Sequence, residues 1–415
     1  MSIVLRLIIG LVCYVAGSCV GAEPLTRTRA VQIAVENNPQ VAAAEAEWRG
    51  AKFRRWVALA PADPELELEF EELPGVFDTG KFGKRNIGIT QRIESPLKWW
   101  FRQRSLAQGA ESIRYSALEV TRLEVATRTK VLFDRLLTDQ EMLVSSEDNL
   151  RLAKDLAKRA RTRFESGDVA RLEMIRADVQ VGLAESQLAD ALARLSTSRA
   201  SLNTVLGRNV AVPVEISGEL SLASKTFELD ALRSLAIARR PDLLGGRQSL
   251  LSARSSQSGT VASLVPDLNL SISRQTIVGP TSRSSFWRTT FGIELPVWAL
   301  FRQRGEISMA KAEVRQTEAE NSGLRQRAML EVESRFAALT AARKKAELFQ
   351  TGILKLARMA HEATSESYRQ GKATYLDLLE AQRTLTQTRI AYFESIFDYR
   401  RALAGLEQAT GGSLE

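Results

Sequence analysis

The sequence predicts a mainly helical chain of two tandem halves, each built from a long antiparallel helical hairpin and a pair of short strands. Three observations carry this reading. Landmarks recur in the same order about 200 residues apart, two long runs contain no proline, and four short stretches alternate apolar and polar residues with period two. The composition agrees: of 415 residues, 11 are Pro and 25 Gly, and the interior segments are rich in the strong helix formers Ala, Leu, Glu, Arg and Gln. Hydrophobic residues at 44% and charged residues at 26% exclude a globally disordered chain. A single His and two Cys leave too few side chains for a zinc, haem or thiol centre, and no cofactor is expected. The net charge of +8 points, taken alone, toward nucleic acid or an acidic membrane surface.

The N-terminus bears on the compartment. Arg6, the apolar run Leu7 to Val15 and the small residues Ala16, Gly17 and Ser18 have the three-part layout of a secretory signal, too short to span a bilayer. Val20-Gly21-Ala22 offers cleavage before Glu23, giving a signal segment over 1–22. The competing reading is lipoprotein processing at Cys19 after Ala16-Gly17-Ser18. Cys13 is lost either way, so the mature chain carries no disulfide. Removing 1–22 takes away Arg6 and no acid, leaving about +7 at neutral pH. Secretion makes nucleic acid an unexpected partner.

The repeat is explicit in the residues. Pro96-Leu97-Lys98-Trp99-Trp100-Phe101-Arg102-Gln103-Arg104 answers to Pro296-Val297-Trp298-Ala299-Leu300-Phe301-Arg302-Gln303-Arg304. Asn37-Asn38-Pro39-Gln40 answers to Arg239-Arg240-Pro241-Asp242, Phe164-Glu165-Ser166-Gly167 to Tyr368-Arg369-Gln370-Gly371, and Leu206-Gly207 to Thr410-Gly411. The halves are read as 23–212 and 213–415, each running helix, strand pair, long helix, break, helix. The proline-free runs from Phe101 to Phe164 and from Phe301 to Tyr368, if helical throughout, are each about 100 Å long at 1.5 Å per residue. Val332, Phe336, Leu339, Ala342, Ala346, Phe349, Ile353, Leu356, Ala360 and Ala363 recur with a period of about 3.5, which predicts coiled-coil packing along the second run. Gly167 and Gly371 end the long helices, and Val169 to Leu206 and Thr374 to Leu406 return antiparallel.

The strand pairs fall at 64–95 and 266–296. Leu66, Leu68 and Phe70 alternate with Glu67, Glu69 and Glu71, and Ile87 and Ile89 with Gly88 and Thr90. Leu268, Leu270 and Ile272 alternate with Asn269, Ser271 and Ser273, and Trp287 to Leu295 continues the pattern. Such stretches fit an ordinary half-buried sheet or membrane-spanning barrel strands of about 9–11 residues. Trp99, Trp100 and Trp298 at the ends of the pairs favour the membrane, as interfacial anchors do. Four strands cannot close a barrel, since the smallest have about eight, so several copies must pool theirs.

Taken together, these features resemble the TolC-type outer-membrane efflux channels, over residues from about Leu25 to Gly412. Ala62-Asp63-Pro64-Glu65-Leu66 followed by Ile89-Thr90-Gln91-Arg92-Ile93-Glu94 is most similar to the branch serving cobalt, zinc and cadmium efflux. The resemblance implies a homotrimer whose strands form one small transmembrane β-barrel in the outer membrane, contacting its lipids, and whose coiled-coil helices form a periplasmic tunnel. It implies docking to a periplasmic adaptor (membrane fusion protein) by the hairpin tips at Gly167 and Gly371, and through it to an inner-membrane pump. It also implies a gate at the periplasmic end, where Asp377 and Glu380 match the family's acidic positions and Glu173 stands at the same offset after Gly167. The plain alternative is that these acids are solvated charges favoured at a helix start. Where some relatives carry an Arg, this chain has Ala373, with Lys372, Arg171 and Arg176 as nearby substitutes.

If Leu66, Leu68 and Phe70 face lipid, Glu67, Glu69 and Glu71 face the lumen and favour cations. Alternatively, Arg92 and Arg288 neutralise them across strands. His361 stands alone, no metal site is expected, and no acid–base or nucleophile constellation points to an enzyme. The expected role is a passive efflux conduit for metal cations or small toxic compounds through a resistance-nodulation-division pump. A type I secretion conduit and a periplasmic coiled-coil scaffold are the alternatives.

Overall fold

The computed structural model describes residues 24–77, 79–222, 225–279, 281–295 and 301–414. Residues 1–23, where a signal segment and Cys19 are expected, and Pro296 to Leu300 with Trp298, lie outside the described residues. Helices α1 (Arg27–Asn37) and α2 (Pro39–Val57) lead into strands β1 (Glu65–Glu71) and β2 (Lys84–Ile93). Helix α3 (Pro96–Ile113), a π-helical turn (Arg114–Glu119) and α4 (Val120–Glu165) form one unbroken rod, beside which α5 (Arg171–Val205) returns. The order recurs with α6 (Leu229–Arg239), α7 (Pro241–Ala262), β3 (Asp267–Val278), β4 (Arg283–Glu294), α8 (Arg302–Leu348), a second π turn (Phe349–Ile353), α9 (Leu354–Arg369) and α10 (Tyr375–Thr410).

Local chemistry explains the breaks. Pro39, Pro96 and Pro241 open helices at the first turn, where a missing N–H leaves nothing unsatisfied. At the hairpin turns, the Gly167 N–H donates to the Phe164 carbonyl at 3.0 Å and the Asp168 N–H to Arg163 at 2.8 Å. The second turn repeats this with Gly371 to Tyr368 at 3.1 Å and Lys372 to Ser367 at 2.8 Å. This paired closure needs a left-handed residue, and φ is 81° at Gly167 and 72° at Gly371.

Two further left-handed glycines mark helix-to-corner junctions. A Cβ on Gly207 would stand 2.6 Å from the Asn37 carbonyl oxygen, and one on Gly411 would stand 2.9 Å from that of Arg239. The end of α5 therefore abuts the corner between α1 and α2, and the end of α10 abuts that between α6 and α7. Asn38 Nδ2 donates to the Val205 carbonyl at 2.9 Å, and an Arg240 guanidinium nitrogen to that of Ala409 at 3.1 Å.

The core is elongated rather than central. One apolar cluster gathers Phe133, Leu136, Leu202 and Leu206 between α4 and α5 under α1 and α2, and another gathers Val332, Tyr399, Leu403 and Leu406. Burying a side chain such as Phe133 stabilises the fold by about 1.5–3 kcal/mol. The predicted heptad stripe holds as far as Ala346, since Val332, Leu339 and Ala346 are buried. Beyond it the expectation is corrected: Leu356 is 65% exposed and Ala357 takes its place inside. The π turn at Phe349–Ile353 inserts one residue into the helical repeat and rotates the downstream helix α9 by about 100°.

Candidate functional site

The strands form one antiparallel sheet in the order β1-β2-β3-β4, leaving β1 and β4 without a pairing partner on their outer edges among the described residues. Its register sorts the side chains. Leu66 faces Ile89, Ile89 faces Ile272, and Leu270 faces Phe291, so Leu66, Leu68, Ile87, Ile89, Ile272 and Phe291 share one face. Glu67 faces Gly88 and Gly88 faces Ser273, while Glu69 faces Asn86 and Asn86 faces Gln275, which makes the opposite face polar. The apolar face runs across all four strands, interrupted by Gln91 opposite Leu270 and by Arg85 and Arg274 opposite Phe70 and Trp287, while Phe286 opposite Gln275 is the aromatic exception on the polar face.

The glutamate ladder lies on that polar face. Glu71 is paired with Lys84 at 3.0 Å. Glu67 and Glu69 are exposed and make no ion pair among the described residues. Arg92 and Arg288, expected as neutralising partners, are engaged elsewhere. Arg92 pairs with Asp267 at 2.9 Å and Glu294 at 3.1 Å, while Arg288 donates to Gln275. Each cation is held by an acceptor nearer in register than the ladder.

Where sheet meets helix, Asp267 ties the chain together. Its carboxylate, with a side chain 6% exposed, accepts from Arg92 at the end of β2, from Lys98 Nζ at 2.8 Å and from the Ser95 N–H at 3.0 Å. Arg102 adds a pair with Glu94 at 2.6 Å and a contact to the Ala58 carbonyl. Sequence reasoning missed Asp267, although Pro64-Glu65-Leu66 and Pro266-Asp267-Leu268 repeat like the other landmarks. The aromatic residues expected beside this junction are surface-exposed, Trp99 at 38% and Trp100 at 47%, with Arg104 5.3 Å from the Trp100 ring centre. In Arg102-Gln103-Arg104 and Arg302-Gln303-Arg304 the buried residue is the central Gln.

At the opposite end the two hairpin turns come together. Tyr375 inserts among Ala157, Ala160 and Ala177, with Leu379 beside it and the Tyr368 ring 6.3 Å away. Burial, then the neighbouring Tyr368 and Glu173, hold the Tyr375 hydroxyl above the usual phenol range. Glu173 is half-buried against this cluster, and its Oε2 has no hydrogen-bond partner among the described residues. Asp377 and Glu380 are exposed on the first turns of α10. Asp377 also closes a capping box: its Oδ2 accepts from the Thr374 N–H at 2.9 Å and from Thr374 Oγ1 at 2.7 Å. These two bonds, the hydroxyl first, hold its carboxyl below the usual range. Lys372, Arg171 and Arg176 form no ion pair among the described residues, so none of them latches this turn within one chain.

Buried charge binds the hairpins to each other. Asp134, fully buried, accepts from Arg27 at 3.1 Å and Arg400 at 2.9 Å, and Glu407 accepts from Lys130 at 2.6 Å. Among the described residues no cluster of His, Cys, Asp or Glu is arranged to hold a metal ion. No helix among them is long and apolar enough to cross a membrane.

The chain matches the outer membrane efflux protein family over residues 30–208 and 232–412. It is 24% identical over 401 residues to the cobalt-zinc-cadmium resistance protein CzcC of Cupriavidus metallidurans, with 94% of this chain and 91% of that protein covered. It is also 24% identical to the pyoverdine export outer membrane protein OpmQ of Pseudomonas putida, covering 92% of this chain and 85% of that protein. Among solved structures, that of CusC superposes with a TM-score of 0.77 at 17% identity, covering 93% of this chain and 92% of CusC, a likeness of fold. With both halves matched in order, the chain belongs to the outer membrane efflux protein family.

Proposed function

We propose that this chain is the outer-membrane channel of a tripartite efflux system, a passive conduit from periplasm to exterior. The sheet carries the reading: one face is mainly apolar, the other mainly polar, and both edges lack a partner among the described residues. In lipid such edges leave backbone groups unsatisfied. Pairing β4 of one copy with β1 of the next removes every edge. A homotrimer brings twelve strands into one barrel, with the apolar face toward outer-membrane lipid and Glu67, Glu69 and Glu71 toward the lumen. Trp99 and Trp100 then sit at the headgroup level. The rods of α3–α4 and α8–α9 extend into the periplasm as the tunnel wall.

At its far end, Asp377, Glu380 and Glu173 from three copies make acidic rings, which favour cations in pores. The turns at Gly167 and Gly371 offer the docking tips for a periplasmic adaptor, which links the channel to an energised inner-membrane pump. The similarity to CzcC supports metal cations as cargo, with selection made by the pump. We assign 1–22 to a signal segment, and 23–212 and 213–415 to the two products of a duplication. Membrane fractionation tests the reading. The protein is expected in the outer membrane as a heat-modifiable trimer that conducts ions in planar bilayers. A soluble periplasmic monomer would reject the channel.

A further inference from the structure

Within its strands, the apolar face of the sheet carries three arginines and no acid. They stand in successive rows toward the turns that join β1 to β2 and β3 to β4. Arg274 on β3 lies between Ile87 and Trp287, Arg85 on β2 lies between Phe70 and Thr276, and Arg283 on β4 pairs with Val278 one row further on. Arg85 and Arg274 are diagonal neighbours, about 7–8 Å apart. None of the three forms an ion pair among the described residues, and the nearby acids Glu71 and Glu72 are taken by Lys84. Aromatic rings hold the guanidiniums instead. Arg85 and Arg283 stand 5.0 and 5.5 Å from the centre of the same Phe82 ring, and Arg274 stands 5.8 Å from that of Trp287. A guanidinium laid on a ring keeps its N–H edge free for an oxyanion.

Beside them lies a recess of about 510 Å³, lined by Ile87, Ile89, Leu270 and Ile272 and bordered toward the turns by Arg85, Arg274 and Trp287. A volume of that order holds a small ligand or a length of hydrocarbon chain. Depth agrees with such a chain. Eight residues of β2 separate the row of Ile93, Leu268 and Ile293 from Arg85, about 27 Å along the strand and about 20 Å along the membrane normal at a tilt of about 40°. A barrel's lipid-facing band is about 25 Å tall, so the arginines stand at its outer margin. At that depth a guanidinium reaches the headgroups, whereas at the midplane its charge is costly.

We propose that this end of the sheet binds an anionic, phosphate-bearing lipid of the outer leaflet, its phosphate held by Arg85, Arg274 and Arg283 and an acyl chain lying in the recess. The inference rests on the barrel reading, in which this face meets lipid. The recess calls for hydrocarbon, and unpaired cations on a face without acids call for an anion. A lipid supplies both in one molecule, while a free phosphate leaves the recess unfilled.

Trp287 borders the recess and provides the readout. The full-length trimer is reconstituted in phosphatidylcholine vesicles in which either phosphatidylcholine or a minor fraction of phosphatidate carries brominated acyl chains, which quench indole fluorescence on contact. The Trp287 signal is the part that Trp287→Phe removes. Phosphatidate should associate at least about fivefold more strongly than phosphatidylcholine at physiological ionic strength, the worth of one arginine beside an anionic headgroup. Arg85→Gln combined with Arg274→Gln should bring the ratio near one while the heat-resistant trimer is retained. Arg304→Gln, which removes an exposed cation on α8, should leave the ratio unchanged. Equal quenching by the two lipids, an unchanged ratio in the double variant, or loss of the preference in millimolar inorganic phosphate would each overturn the proposal and leave the barrel standing. If brominated phosphatidylcholine itself left Trp287 unquenched, the sheet would not meet lipid, and barrel and site would fall together.

Discussion

Replacing Asp267 by Asn should loosen the junction between sheet and helices, and the expected size comes from its three donors. The amide keeps the shape and, with its oxygen in the Oδ1 place, the acceptor shared by the Ser95 N–H and Lys98 Nζ, so what Lys98 loses is its counter-charge. Arg92 keeps Glu294 at 3.1 Å and is 53% exposed, so it loses little. Lys98 is the sensitive partner: its side chain is 17% exposed, and no other carboxylate among the described residues pairs with it. Stranding one partner of a buried pair costs about 3–5 kcal/mol. The residual exposure of Lys98 and the surviving amide contact bring the expectation to about 2–3 kcal/mol. The assay is urea-driven loss of the heat-resistant trimer, with Lys98→Met and the double variant completing a thermodynamic cycle. The double variant should recover at least about 1 kcal/mol relative to the sum of the singles. Additivity within error, or an unshifted Asp267→Asn midpoint, would refute the junction as described.

Replacing Glu67, Glu69 and Glu71 together by Gln should lower cation selectivity in single-channel reversal potentials. An unchanged reversal potential would place the ladder away from the ion path. For Asp377, the folded carboxyl titrates below its unfolded value, so its capping contribution is complete above the unfolded pKa and fades as pH falls through the folded one. Amide exchange at the start of α10 should therefore speed up below about pH 4, and Asp377→Asn should abolish that dependence. Gly207→Ala forces an L side chain into φ 68° and a 2.6 Å contact, so it should destabilise by more than about 1 kcal/mol in the same urea assay. Gly182→Ala, in open space inside α5, should not.

Local signals made much of this legible. Period-two alternation identified the strands because most residues of each face share one character, with Arg85, Gln91 and Arg274 the departures on the apolar side. The Gly at each hairpin turn was visible because only a left-handed residue closes those helices, whereas Pro39 and Pro241 were legible only as repeat landmarks, and each splits the single helix expected ahead of its strand pair into two. The π turns were hidden: they change phase without breaking the helix, so Leu356 read as core while Ala357 is buried. Buried carboxylates were hidden for a different reason. Asp134 and Glu407 look like solvated helix-face acids until Arg400 and Lys130, 266 and 277 residues away, are brought beside them. Asp377 matches a gate position by resemblance, and the alternative reading, an acid favoured at a helix start, is written in Thr374-Tyr375-Leu376-Asp377, which forms the capping box of α10.

The junctions at Gly207 and Gly411 have a mechanical meaning. Each protomer is a set of struts of two kinds. The rods α3–α4 and α8–α9 run unbroken past these junctions, so tension between the sheet and the hairpin turns passes through covalent bonds. The other two struts are spliced: α5 leans on α2 and α10 on α7, joined across each seam by van der Waals contact and bonds such as those from Asn38 and Arg240. Torque applied at the hairpin turns is therefore carried by the continuous rods, while the spliced struts can slip at their seams without unwinding a helix.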